Sequence, residues 1–174
     1  MGPILPGGCR QCAGAACRRY GLTMSIYGFR QRVTCYVTRQ GVEGVELLVF
    51  EHIHDDPADP SGVQVPGGGM MRFESIQDAA HREVEEETGL RGITYVGQLG
   101  AQELGLDEPG GPSVTTFVHV RAPDDGERHW EHVVHGDDND GDVGMRFTCR
   151  WEPLPLKMEL AAGQGAFLHK LPTH

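Results

Sequence analysis

Three glutamates of this 174-residue chain, Glu83, Glu86 and Glu87, share one side of a short helix and mark it as a place for chemistry. The helix is expected from about Ile76 to Thr88. Ser75 followed three residues later by Asp78 reads as a capping box, and Gly89 suits the residue just past the end. At 100° per residue, Glu86 and Glu87 fall about 60° and about 40° to either side of Glu83. Ile76, Ala79, Ala80 and Leu90 share that stripe, which should face the interior. Gln77, Asp78, His81, Glu85 and Thr88 occupy the opposite, solvent-facing side. A solvated glutamate face would explain Glu85 but not the other three. Carboxylates this close repel and raise one another's pKa values. A divalent cation such as Mg²⁺ or Mn²⁺, which prefers oxygen ligands, resolves the conflict. The upstream run Pro66-Gly67-Gly68-Gly69 needs an unusual backbone path and would set bare backbone beside the acids, with room for phosphate oxygens.

Other clusters carry less. Cys9, Cys12 and Cys17 lack the fourth ligand and second pair of a zinc knuckle. Asp137 to Asp142 resembles the start of a calcium loop. Aligned on Gly141, however, it places Gly136 and Phe147 where ligands are required. His129, His132 and His135 are spaced by three, yet residues 124–142 read as loop, so the spacing does not align them on a helix. Cys35 and Cys149 lie in strand-like runs and suit buried free thiols.

The elements that must hold the helix are mostly strands. Residues 29–39 alternate Val33, Cys35 and Val37 against Arg32, Thr34, Tyr36 and Thr38, a half-buried strand. A turn at 41–44 and the apolar run Leu47 to Phe50 complete a hairpin. Residues 55–60, with two prolines and three acids, form a loop, and Val63 to Val65 a short strand. Later strands are expected at 93–99, 115–121 and 145–151, and a final helix at about 156–171, weakened by Gly163 and Gly165.

The length fits one domain, and 25 glycines with 11 prolines favour turns over long helices. Residues 1–23 read as a flexible extension ahead of a single domain at 24–174. No apolar run is long enough to cross a membrane and no secretory pattern opens the chain, so a cytoplasmic α/β protein is expected. The formal net charge of -10 becomes -16 beyond residue 39, a field that disfavours extensive nucleic-acid binding. A small phosphorylated ligand remains compatible when cations stand between it and the protein. Association as a homodimer is compatible with the sequence but not specified by it.

The run Gly68-x5-Glu74-x7-Arg82-Glu83-Val84-x-Glu86-Glu87-x-Gly89-Leu90 resembles a complete Nudix box. The resemblance implies an α/β/α sandwich on a mixed β-sheet and a pyrophosphohydrolase dependent on Mg²⁺ or Mn²⁺. Such an enzyme cleaves the diphosphate of a nucleoside diphosphate derivative by water attack at phosphorus. It also implies that Glu83, Glu86 and Glu87 are metal ligands, assisted by the carbonyl of Gly67 or Gly68, and that Arg82 braces the glutamates together with Glu74. The general base would be a box glutamate or one from a later loop, where Glu131 is the candidate; its plain alternative is an exposed loop acid. Trp130 would stack on a base or cover the core edge. The chain departs from the common pattern at Met71 and Phe73, where many members carry glutamate and glycine, which implies a stiffer loop. Markers of substrate subclasses are absent, leaving the substrate open. A catalytically inactive Nudix-fold module that binds nucleotides is the alternative reading.

Overall fold

The computed structural model describes residues 29–105, 111–136 and 141–172. The expected N-terminal extension, Cys9, Cys12, Cys17 and residues 137–140 of the acidic run lie outside them. Seven strands and one α-helix follow in the order β1 (Arg30–Gly41), β2 (Gly44–His52), β3 (Gly67–Gly69), α1 (Ile76–Thr88), β4 (Thr94–Leu104), β5 (Ser113–Arg121), β6 (His129–Val133) and β7 (Arg146–Pro153).

The strands form one mixed sheet in the order β4-β5-β1-β2-β7-β6. Among the described residues only the β1–β5 pair is parallel. Strand β1 is the axis: β5 runs along one edge, while its other edge is shared by β3 at Arg32–Thr34 and β2 at Thr38–Gly41. That division opens the sheet where β3 meets α1.

Alternation in the strands separates two cores. Val33, Cys35, Val37, Leu48, Phe50, Val118 and Phe147 face α1, where Ala79, Ala80 and Val84 pack on them. Tyr36, Leu47, Val49 and Phe117 face the other way, under Leu160 and Leu171. This is the expected α/β/α sandwich, with the outer layer opposite α1 built from the segment after β7.

That outer layer corrects the expected final helix. Instead of a helix at 156–171 there are two short 3-10 turns, Ala161–Gly163 and Leu168–Lys170. Ala162 and Gly163 take positive φ angles of 51° and 70°, which end any helical path. The segment also explains why β1 is covered on both faces rather than half-buried. The Tyr36 hydroxyl donates to the Gln164 carbonyl at 2.5 Å and accepts from the Phe167 amide at 3.1 Å. At Tyr36 and Thr38 the polar alternation of β1 marks satisfied burial rather than solvent.

Two further strand expectations shift. The segment Val63 to Val65 makes one bridge, Phe50 to Gln64, and the strand lies at Gly67–Gly69 instead. A Cβ on Gly67 would stand 2.9 Å from Thr34 Cα, so glycine is what lets β3 lie against β1. Within the expected loop 124–142, residues 129–133 form edge strand β6 on β7. A single apolar ring, Trp130, gave too little contrast for alternation to be seen.

Helix α1 starts and stops as its sequence predicts. Ser75 Oγ accepts the Asp78 amide at 3.1 Å, and Gly89 closes the helix at φ 73° with its amide on the Glu85 carbonyl. Among the described residues, no helix is long and apolar enough to cross a membrane.

Candidate active site on helix α1

Arg82 is the hub of the acidic helix. Its Nε and one Nη2 hydrogen reach the two oxygens of Glu74 at 2.8 and 2.9 Å, a bidentate pair. Nη1 donates to Glu83 Oε1 at 2.8 Å and to Glu86 Oε2 at 3.0 Å. The remaining Nη2 hydrogen meets the Gly69 carbonyl at 2.9 Å. All five guanidinium N–H groups are thus engaged, a pattern no lysine can reproduce. Burial opposes the charge on Arg82, but its bonds to Glu74 and the charge of Glu83 outweigh that effect and raise its pKa.

Three of the carboxylates share Arg82, and Glu87 is held by β3. Glu74 also accepts the Met71 amide at 2.8 Å, and the Arg82 bond holds its pKa low against the opposing effect of burial. Glu83 and Glu87 are buried, with 4% and 6% exposure, whereas Glu86 is half-buried. Glu87 Oε2 accepts the Gly67 amide at 2.8 Å, so the last turn of α1 is tied to the first residue of β3.

The expected inward stripe is observed for Glu83, Glu87, Ala79 and Ala80, and Glu85 is exposed as expected. Thr88 departs. It is buried, because its hydroxyl turns back to the Val84 carbonyl at 2.5 Å and accepts the Leu90 amide at 3.3 Å.

Three carboxylates on one guanidinium, with Glu87 on the same helix, leave an excess of negative charge. Its reach is visible in the core: burial pushes the Cys35 thiol pKa well up, and the charges of Glu83 and Glu87 push it further. Cys149 is pushed up to about 12, by burial and then by Glu87. Both thiols are buried and free, as expected, and such shifts leave them unreactive.

Among the described residues, no group of three or more His, Cys, Asp and Glu side chains is gathered as a ready metal site. The reason is visible in the bonds above. Arg82 draws Glu83 and Glu86 to itself, and Glu87 turns to Gly67. The donor chemistry nevertheless suits a hard dication, since every candidate ligand is an oxygen and the charge excess is negative. Gly67 and Gly68 lie paired with Thr34 and Val33 of β1, beside α1. The glycine carbonyl that Arg82 reaches is that of Gly69, which the sequence did not single out.

Glu131 is not brought to this cluster. Strand β6 alternates, so Trp130 and His132 turn to α1 while Glu131 is exposed and paired with Arg146 at 2.5 Å. Trp130 packs at the edge of the core with Nε1 on the Thr88 carbonyl at 2.8 Å, in the core-edge place the sequence offered. Phe73, standing where glycine is common, holds a positive φ of 66° and is 91% exposed.

A polar cavity of about 330 Å³ opens on the sheet face away from α1, lined by Arg30, Arg32, Gln102, Ser113, Thr115 and Gln164. It includes Gly67, and so reaches the peptide that Glu87 holds from the other side.

A family model for the NUDIX domain matches residues 28–170. Diphosphoinositol polyphosphate phosphohydrolase 2 of Homo sapiens is 34% identical over 108 residues, covering 62% of this chain and 54% of that protein. The chain thus spans about half the length of that curated relative. Two solved structures are alike in fold. A binary complex of C. elegans Ap4A hydrolase has 16% identity and a TM-score of 0.56, covering 81% of this chain and 93% of that one. The NUDIX domain of Shewanella oneidensis NrtR with ADP ribose has 18% identity and a TM-score of 0.54, covering 82% and 85%.

Proposed function

The chain belongs to the Nudix family, and on that premise we propose that it is a metal-dependent pyrophosphohydrolase. It would cleave the diphosphate linkage of a small nucleotide-type substrate, a nucleoside diphosphate derivative, by attack of water at phosphorus. The observation that carries this reading is the arrangement of Glu74, Glu83 and Glu86 on one Arg82, with Glu87 anchored to Gly67. Buried like charges at this density are costly unless a cation is part of their working state.

Glu83, Glu86 and Glu87, with a carbonyl of Gly67 or Gly68, would hold Mg²⁺ or Mn²⁺. When bound, the cation supplies charge neutralisation for the phosphate oxygens. The rest is done by the chain. Arg82 keeps Glu83 and Glu86 oriented while leaving carboxylate lone pairs for other partners. Glu86, the most exposed of the three, takes the proton from the attacking water; Glu131, exposed and paired with Arg146, is the alternative base. The Arg30 and Arg32 side of the cavity receives an anionic portion of the substrate, since two guanidinium groups favour phosphate oxygens there.

The test is turnover by purified protein with Mg²⁺ or Mn²⁺ on a panel of nucleotide sugars, ADP-ribose, dinucleoside polyphosphates, nucleoside triphosphates and 5′-triphosphate RNA. A diphosphoinositol polyphosphate belongs in the panel because the similar human protein is named for that chemistry. Metal-dependent release of phosphorylated products supports the reading. Thermal stabilisation by a ligand with no product would instead support a binding module.

A further inference from the structure

Helix α1 ends at Thr88, so the carbonyls of its last turn have no partner within the helix. Gly89 supplies one, its amide reaching the Glu85 carbonyl at 2.9 Å. Two more carbonyls, those of Glu86 and Thr88, are met from β6 and its continuation. The Glu86 carbonyl accepts from His132 Nε2 at 2.9 Å and from the His135 amide at 3.2 Å. The Thr88 carbonyl accepts from Trp130 Nε1 at 2.8 Å. A carbonyl can only accept, so the proton of the His132 ring stands on Nε2.

These contacts share a register. Trp130 and His132 are two apart on β6 and therefore point the same way, onto the end of α1. Gly89 makes room: with φ 73° and no side chain, it lets the His132 ring lie close, whereas a Cβ there would stand 2.9 Å from Nδ1. His132 is thus enclosed between the Glu86 carbonyl and the helix-ending glycine. It also lines a second hollow of about 650 Å³ together with Arg82, Glu86, Arg91 and His135.

We infer that His132, seconded by Trp130, is a positioning residue for the acidic helix. It fixes where the last turn of α1 ends, and so where the carboxylates of Glu86 and Glu87 stand relative to Arg82 and Gly67. This rests on the proposed hydrolase reading, because the geometry being held is that of its glutamates. The two bonds to the Glu86 carbonyl matter most, since they act on the residue whose side chain Arg82 holds at the other end.

The experiment compares His132→Leu, His132→Gln and Trp130→Phe with wild type for kcat, KM, Mn²⁺ affinity and thermal unfolding. Loss of an outer hydrogen bond to a ligand typically costs about 10- to 100-fold in metal affinity or activity. His132→Leu should accordingly lose about 10-fold or more in kcat and Mn²⁺ affinity, with KM changed less than about twofold. His132→Gln, which keeps an amide donor at similar reach, should recover most of the loss. Trp130→Phe, which keeps a smaller aromatic ring and loses the donor, should fall between. Equal damage in His132→Leu and His132→Gln, or a lower unfolding temperature with kcat and Mn²⁺ affinity unchanged, would overturn the inference. A wild-type chain with neither turnover nor Mn²⁺ binding removes the hydrolase reading and this one with it. An active wild type with His132→Leu unaffected removes this one alone.

Discussion

Glu87 Oε2 and the Gly67 amide are 2.8 Å apart, so one carboxylate joins the last turn of the catalytic-helix candidate to the glycine strand. The same residue is assigned to the metal, and the two roles can be separated. Glu87→Gln keeps an oxygen that accepts the Gly67 amide but loses the charge. It should unfold within about 1 kcal/mol of wild type while turnover falls by about 100-fold or more. Glu87→Ala loses both and should also be destabilised by about 2 kcal/mol. Denaturant unfolding beside turnover checks this; equal stability loss in both variants would show that the bond to Gly67 is not the anchor.

Arg82 uses five donors in a planar fork, and an ammonium offers three without that geometry. Arg82→Lys should therefore cost about 2 kcal/mol, because part of the Glu74, Glu83, Glu86 and Gly69 set is left without its donor. Turnover should fall as well. Unfolding by urea measures the first, and a stability equal to wild type would mean the network contributes nothing.

Phe73 combines a φ of 66° with 91% exposure, and its only ring partner among the described residues is the Arg72 guanidinium at 4.7 Å. Left-handed backbone costs a non-glycine residue about 1–2 kcal/mol. Glycine's greater unfolded-state entropy returns about 0.4–1 kcal/mol of that. Phe73→Gly should gain about 0.5 kcal/mol in a denaturant titration. A loss of about 1 kcal/mol would show that the ring is held by something more than the arginine.

His119 is buried on β5, with Nε2 and Thr38 Oγ1 2.8 Å apart. Burial, helped by Arg121, lowers its pKa below the ordinary 6.5. The folded state then binds fewer protons than the unfolded one. Stability should be level with respect to this group above pH 6.5 and should fall as pH drops from 6.5 towards the folded pKa. Unfolding free energy measured against pH for wild type and His119→Asn should differ in slope across that window. Parallel curves would show that His119 does not contribute.

Much of the site was legible because it is local. A helix of 13 residues carries its own cap, its own period and its own stop, so the inward side of Glu83 and Glu87 could be read from spacing. Its partners were legible only in part. Glu74 lies within reach along the chain, but the Gly69 carbonyl and the β6 contacts come from backbone paths that side-chain patterns do not reveal. Glu131 reads as a loop residue because 124–142 shows no apolar alternation, and on strand β6 one residue of register sets the exposed face it takes. The outer layer after β7 was read as a helix because Leu156, Leu160, Phe167 and Leu171 mimic helical spacing. Those residues reach the second core from irregular backbone that flanks two short 3-10 turns.

The most direct measurement is steady-state turnover of one cleaved diphosphate substrate by wild type and Glu86→Gln at saturating Mg²⁺, with thermal unfolding in parallel. A fall of about 100-fold or more in kcat at an unchanged unfolding temperature is the predicted result. Full turnover by Glu86→Gln would contradict the assignment of chemistry to this helix.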